Sequence, residues 1–176
     1  MSEPGGTAVI GLGSPLMGDD GVGLAALARL RERFAGDPGV DWIDGGTAGL
    51  ALLPVIEAAR RVLLLDAIDA GAAPGTLVEL EGAALPRRLA AKLSPHQVDV
   101  GELLALAALR GAEPEQLVAI GVQPERVALG VGLSEPVAAA LAGFVEGASA
   151  RLRAWGHRGT GIGTPAANPL AGGAQG

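Results

Sequence analysis

The stretch RVLLLDAID, Arg61 to Asp69, decides how the chain folds. It is nearly all apolar up to Asp66 and shows no alternation of apolar and polar residues. Such a run suits a central parallel strand covered on both faces, because a half-exposed strand would alternate. Parallel neighbours need crossover connections, and the flanking sequence supplies them. TAVIGLG (7–13) reads as a first short buried strand, and GVGLAALARLRERF (21–34) follows with apolar residues at helical spacing and arginines on the opposite face. VDWIDGG (40–46) is a second strand, and GLALLPVIEAAR (49–60) is a short helix interrupted or bent near Pro54. Past the central run come a turn, AGAAPGT, and a strand, TLVELEG, that suits an antiparallel partner. QLVAIGVQP (116–124) is a further buried strand, and SEPVAAALAGFVEGASARLRAW (134–155) a last amphipathic helix with Ser134 at its cap. The expectation is an α/β fold: a single domain with a twisted, mostly parallel sheet and helices on both faces.

Residues 82–93 fit no single element, but SPHQ (94–97) carries several helix-start signals. Ser94 can cap, Pro95 suits the first helical position and Gln97 can close a capping box, leading into VDVGELLALAALRG. After Trp155 the composition changes to Gly, Ala and Pro with little to bury. A folded body over 1–156 and a flexible tail over 157–176 are therefore expected, with His157 in the tail and without a specific role.

Composition narrows the function. The 176 residues are the size of one domain, and 49% hydrophobic residues suffice for a core. A net charge of −6, with Lys92 as the one lysine, gives no electrostatic footprint for nucleic acid or an anionic membrane. The absence of cysteine excludes disulfides, thiolate metal sites and a cysteine nucleophile. The N-terminal residues lack the basic start and apolar run of a signal peptide, and no apolar stretch reaches the roughly 18 residues that span a bilayer. These features lead to the expectation of a cytoplasmic protein.

In open α/β sheets ligands sit beyond the carboxyl ends of the strands. That edge collects Asp19 and Asp20 after the first strand, Asp44 after the second, and Asp66 and Asp69 at the end of the third. His96, at the start of a helix, can share the edge. Carboxylates with one imidazole suit a metal or general acid/base chemistry. Each residue also has an ordinary structural reading. Asp20 directly precedes a helix, where a capping Asp is common, and Asp19 suits capping or loop ordering. Asp66 ends an apolar run and is expected to be partly buried, so it needs an arginine partner, a shifted pKa or a cation. The positive end of a helix dipole disfavours imidazolium, so His96 is expected to be able to bind metal. The loop GLGSPLMGDDGVG (11–23) resembles a phosphate cradle in its glycines, yet it does not fit GxGxxG and carries two carboxylates that would repel an anion.

Taken together, GLGSPLMGDDGVG, DGGTAGLALLPVIEAARRVLLLDAIDAGAAPGTLVEL, LSPHQ and LVAIGVQPERV…GLSEPV resemble the maturation endopeptidases of nickel–iron hydrogenases, in order and spacing, over about Ala8 to Trp155. The resemblance implies a peptidase that removes a short C-terminal peptide from the hydrogenase large-subunit precursor after nickel insertion. It implies Asp20, Asp66 and His96 as metal-binding residues. The metal would be nickel contributed by the precursor, with zinc or cadmium as substitutes. In this family the acidic loop position is often glutamate; here it is aspartate. DGGT, comprising Asp44, Gly45, Gly46 and Thr47, is expected to bind substrate. Two rival readings are a nucleotide-binding α/β enzyme and a non-catalytic checkpoint that senses nickel in the precursor without cutting it.

Overall fold

The computed structural model describes residues 6–46, 48–82, 85 and 100–159. Five strands form one sheet in the order β2-β1-β3-β5-β4: β1 (Thr7–Leu12), β2 (Val40–Gly46), β3 (Arg61–Ala67), β4 (Leu77–Glu81) and β5 (Gln116–Val122). β3 is the middle strand. It pairs in parallel with β1 through Thr7↔Arg61 to Gly11↔Leu65, and with β5 through Arg61↔Gln116 to Ala67↔Val122. β4 joins β5 antiparallel, as TLVELEG suggested.

The continuous apolar run on β3 has its explanation in the layers. Leu63 and Leu65 point to one face, where α1 (Val22–Arg33) packs with the long C-terminal helix Glu135–Ala154. Val62 and Leu64 point to the other, covered by α2 (Leu53–Ala58) and α3 (Val100–Leu109). All four side chains are fully buried. Each such burial is worth roughly 1.5–3 kcal/mol. The long helix is named α4 below; it buries Val137, Leu141, Phe144, Val145, Ala148 and Leu152 at helical spacing against the first face. The segment is interrupted beside Pro54, one of the two expected forms: a 3-10 turn, Gly49–Leu52, runs into α2 with the proline in the first helical turn, where its missing N–H leaves no bond unmade.

Just beyond α4, His157 and Arg158 depart from expectation, while residues 160–176 of the expected tail lie outside the described residues. His157 is not free: its Nε2 lies 2.8 Å from Thr7 Oγ1 and its Nδ1 3.2 Å from Asp37 Oδ2. Arg158 donates its backbone N–H to the same Asp37 oxygen at 2.9 Å. Burial pushes the Asp37 carboxyl up, but the N–H groups of Arg158 and Gly39 and the His157 ring outweigh it, so Asp37 titrates below the usual carboxylate range. The network ties the end of α4 to the start of β1. His157→Ala is expected to cost about 1 kcal/mol, or a fall of about 3 °C in Tm by calorimetry. An unchanged Tm would show that the imidazole contributes nothing to the anchor.

Candidate functional site

The loop from Gly13 to Gly21 folds tightly over the carboxyl end of β1. Gly13 has φ +99°, and a Cβ there would lie 1.9 Å from the Asp20 carbonyl oxygen, so only glycine lets the loop close on itself. The loop ends in a 3-10 turn, Asp19–Gly21, that packs against β3 and leads directly into α1. Its two carboxylates have separate partners. Asp20, half-buried, accepts the Ser14 backbone N–H through Oδ2 at 2.8 Å. It caps neither the turn nor α1, because no side-chain cap bond is made at either start. The capping reading of Asp20 is thereby corrected, since the side chain turns back across the loop.

Asp19 is 1% exposed and is the ordering residue of the pair. Its Oδ2 accepts the N–H groups of Glu125 and Arg126, both at 2.9 Å, and the Ser134 hydroxyl at 2.8 Å. Its Oδ1 accepts the Ser134 N–H at 2.7 Å. Burial alone would raise the Asp19 pKa. The donors from Arg126, Ser134 and Glu125 outweigh that effect, holding the carboxyl below its ordinary value and therefore ionised. Ser134 does stand at the cap position of α4, yet its side chain makes no cap bond; the hydroxyl is used by Asp19 instead.

The same hydrogen bonding decides against a phosphate cradle. Ser14 N–H goes to Asp20, Leu16 N–H to Ser14 Oγ, Met17 N–H to Ser14 O, and Gly18 N–H to Gly130 O. Asp19 N–H goes to Arg126 O, Asp20 N–H to Met17 O and Gly21 N–H to Gly18 O. With Pro15 contributing no donor, every backbone N–H from Ser14 to Gly21 has an acceptor, and a bound anion would have to displace one.

Asp66 sits at the carboxyl end of β3, 5% exposed, opposite Gly121 on β5, and its Oδ1 accepts the N–H of Ala67 at 2.8 Å. The contact of the Asp19–Gly21 turn with β3 thus brings the Asp20 and Asp66 segments to one edge. On the other side of β1, Gly11 pairs with Asp44 and Leu12 with Gly46, so Gly45 is an extra residue in a bulge. Gly45 is buried against Ile10. Asp44, exposed, and Gly46 line an open cleft of about 400 Å³ with Gly13, Ser14, Pro15, Leu24 and Ala48. Of the expected site residues, His96 and Thr47 lie outside the described residues. Among those described, no three His, Asp or Glu side chains gather in a metal-binding group.

Gln123 was missed in the sequence. It is 6% exposed; its Oε1 accepts the N–H groups of Ala70 and Ala72, and its Nε2 donates to Asp69 Oδ1 at 3.0 Å. It therefore orders the loop that follows Asp66. Its place at the carboxyl end of β5 was the available signal, by the same edge rule that selected the aspartates.

An α/β body with this acidic carboxyl edge has close counterparts. The hydrogenase maturation protease family (HycI) matches residues 25–150. The hydrogenase expression/formation protein HoxM of Cupriavidus necator is 42% identical over 149 residues, covering 84% of this chain and 74% of that protein. The hydrogenase 2 maturation protease of Escherichia coli is 32% identical over 146 residues, covering 82% of this chain and 89% of that one. Among solved structures, the hydrogenase maturating endopeptidase HybD from E. coli superposes with a TM-score of 0.82 at 31% identity, covering 88% of this chain and 96% of that one. The chain belongs to the hydrogenase maturation protease family, and it is a peptidase. Among the described residues, no helix is long and apolar enough to cross a membrane.

Proposed function

We propose that this peptidase removes a C-terminal peptide from the large-subunit precursor of a nickel–iron hydrogenase, and that nickel held by the precursor is its recognition signal. Asp20, Asp66 and His96 reach that nickel, and the cleft beside Asp44 and Gly46 receives the polypeptide around the cleaved bond. The observation that carries this reading is the packing of the Asp19–Gly21 turn on β3, which brings two carboxylate-bearing segments to one strand edge in a chain of this family. Oxygen ligands from two aspartates with one imidazole suit nickel(II), and zinc or cadmium could substitute. Three protein ligands leave coordination positions for groups of the precursor itself. The protein's part is to bind, orient and hold the chain against the sheet edge.

The test mixes the protein with nickel-loaded and nickel-free precursor and follows intact mass. Loss of a C-terminal peptide from the loaded form alone is expected. Asp20→Ala, Asp66→Ala and His96→Ala are each expected to slow cleavage by about a hundredfold. Equal cutting of the nickel-free precursor would remove nickel from the recognition step. Tight binding of the loaded precursor without cleavage would make the protein a checkpoint rather than the processing enzyme.

A further inference from the structure

We propose that Asp19 is a positioning residue for Asp20, fixing the acidic turn against the loop that follows β5. This inference rests on the proposed role of Asp20 in binding the precursor's nickel. The two residues are joined by one peptide bond but are held by different segments of the chain. Asp19 is clamped by Glu125, Arg126 and Ser134, and Asp20 by the amide of Ser14. The clamp is reinforced along the backbone: Asp19 N–H reaches Arg126 O, Gly18 N–H reaches Gly130 O, and Gly130 N–H returns to Leu16 O.

The four bonds to Asp19 are the side-chain bonds, among the described residues, that tie the turn to the loop after β5. No side-chain cap fixes the start of α1, and the space above Gly13 is filled by the Asp20 carbonyl. If Asp19 loosens its hold, the peptide that carries Asp20 is freed on one side, and the Asp20–Ser14 bond is the first contact to be lost. Asn at position 19 is nearly isosteric but cannot replace the carboxylate. Whichever way its amide is turned, an NH₂ group faces a backbone donor, either Ser134 N–H or the Glu125 and Arg126 pair. Asp19 does not itself reach the edge, because its carboxylate is buried toward the loop after β5.

The test has a structural and a kinetic arm, both run well below the melting transition. The Ser14 amide reports on Asp20 directly by NMR. In Asp19→Asn, the Ser14 resonance is expected to move and its hydrogen exchange to accelerate by about tenfold, with helical amides unchanged. In cleavage of nickel-loaded precursor, kcat is expected to fall by about tenfold and KM to change by less than about threefold. His157→Ala, at the other end of the sheet, is the control for loss of stability alone and should leave the Ser14 resonance and kcat in place. Should Asp19→Asn fail to fold, Ser134→Ala, which removes one of the four bonds, is expected to shift the same resonance and lower kcat by about threefold.

A Ser14 resonance and a kcat left unchanged in a folded Asp19→Asn, or failing that in Ser134→Ala, would overturn the inference. Asp20→Ala separates this failure from failure of the functional reading. If Asp20→Ala cuts at the full rate, the role given to Asp20 is wrong whatever Asp19 does. If Asp20→Ala is inactive while Asp19→Asn is unaffected, only the positioning role falls.

Discussion

Alanine at Gly23 is expected to destabilise the protein by about 3 kcal/mol or more, measured by urea unfolding. The added Cβ would stand 2.3 Å from the Leu65 carbonyl oxygen, 2.8 Å from the Leu65 carbonyl carbon and 2.7 Å from the Leu12 carbonyl oxygen. These are backbone atoms of the middle strand β3 and its neighbour β1, and neither strand can give way. Leu65 is paired with Gly11 on one side and Ile120 on the other, so moving it breaks two ladders. The alternative is for α1 to lift from the sheet, which opens gaps around Val22, Ala26 and Leu27, all buried there. Either response disturbs the junction between the acidic turn and β3, so cleavage should fall in step with stability. A Gly23→Ala protein within about 1 kcal/mol of the parent would mean that α1 can stand off the sheet without loss.

The second large effect is expected at Asp19. Asp19→Ala leaves three backbone N–H groups and the Ser134 hydroxyl without their acceptor. Hydrogen bonds to a charged group are worth about 1.5–3 kcal/mol each, and water can reach the exposed Glu125 and Arg126 once the carboxylate is gone. A net loss of about 3 kcal/mol is the expected result. Its pH dependence has a definite sign. The folded-state pKa of Asp19 lies below the ordinary value, so its contribution is fully present above the unfolded-state pKa of about 3.9 and is lost as pH falls through the lower folded value. Asp37 acts in the same direction. Unfolding curves for the parent and Asp19→Ala should therefore converge as the pH is lowered from about 4 through the folded value. A constant gap across that range would show that the carboxylate's charge is not what the turn depends on.

What the sequence made legible was local and periodic. The apolar run of β3, the alternation of elements and the interruption beside Pro54 each follow from neighbouring residues, and the order of strands and helices follows from them. Asp66 at a strand end was legible for the same reason, as a position relative to an element, while for Asp19 the sequence left capping and loop ordering both open. The partners of Asp19 were not legible. Ser134 lies 115 residues away along the chain, and a hydrogen bond between two loops imposes no period on either. The hydroxyl at a helix start reads as a cap from its neighbours alone, whereas the nearby buried carboxylate claims it in the fold. His157 misled in the same way. Its glycine-rich surroundings suggest a tail, but its partners Asp37 and Thr7 are 120 and 150 residues distant.

The anchor around His157 also bears on how the protein can be handled. It holds the chain just after α4 beside the first residue of β1, whereas Asp20 and Asp66 lie at the opposite ends of the strands. A fluorescent reporter or purification handle fused directly after Arg158 starts its course at the opposite end of the strands from Asp20 and Asp66. Attachment there keeps the label's point of origin away from the edge proposed to receive the precursor.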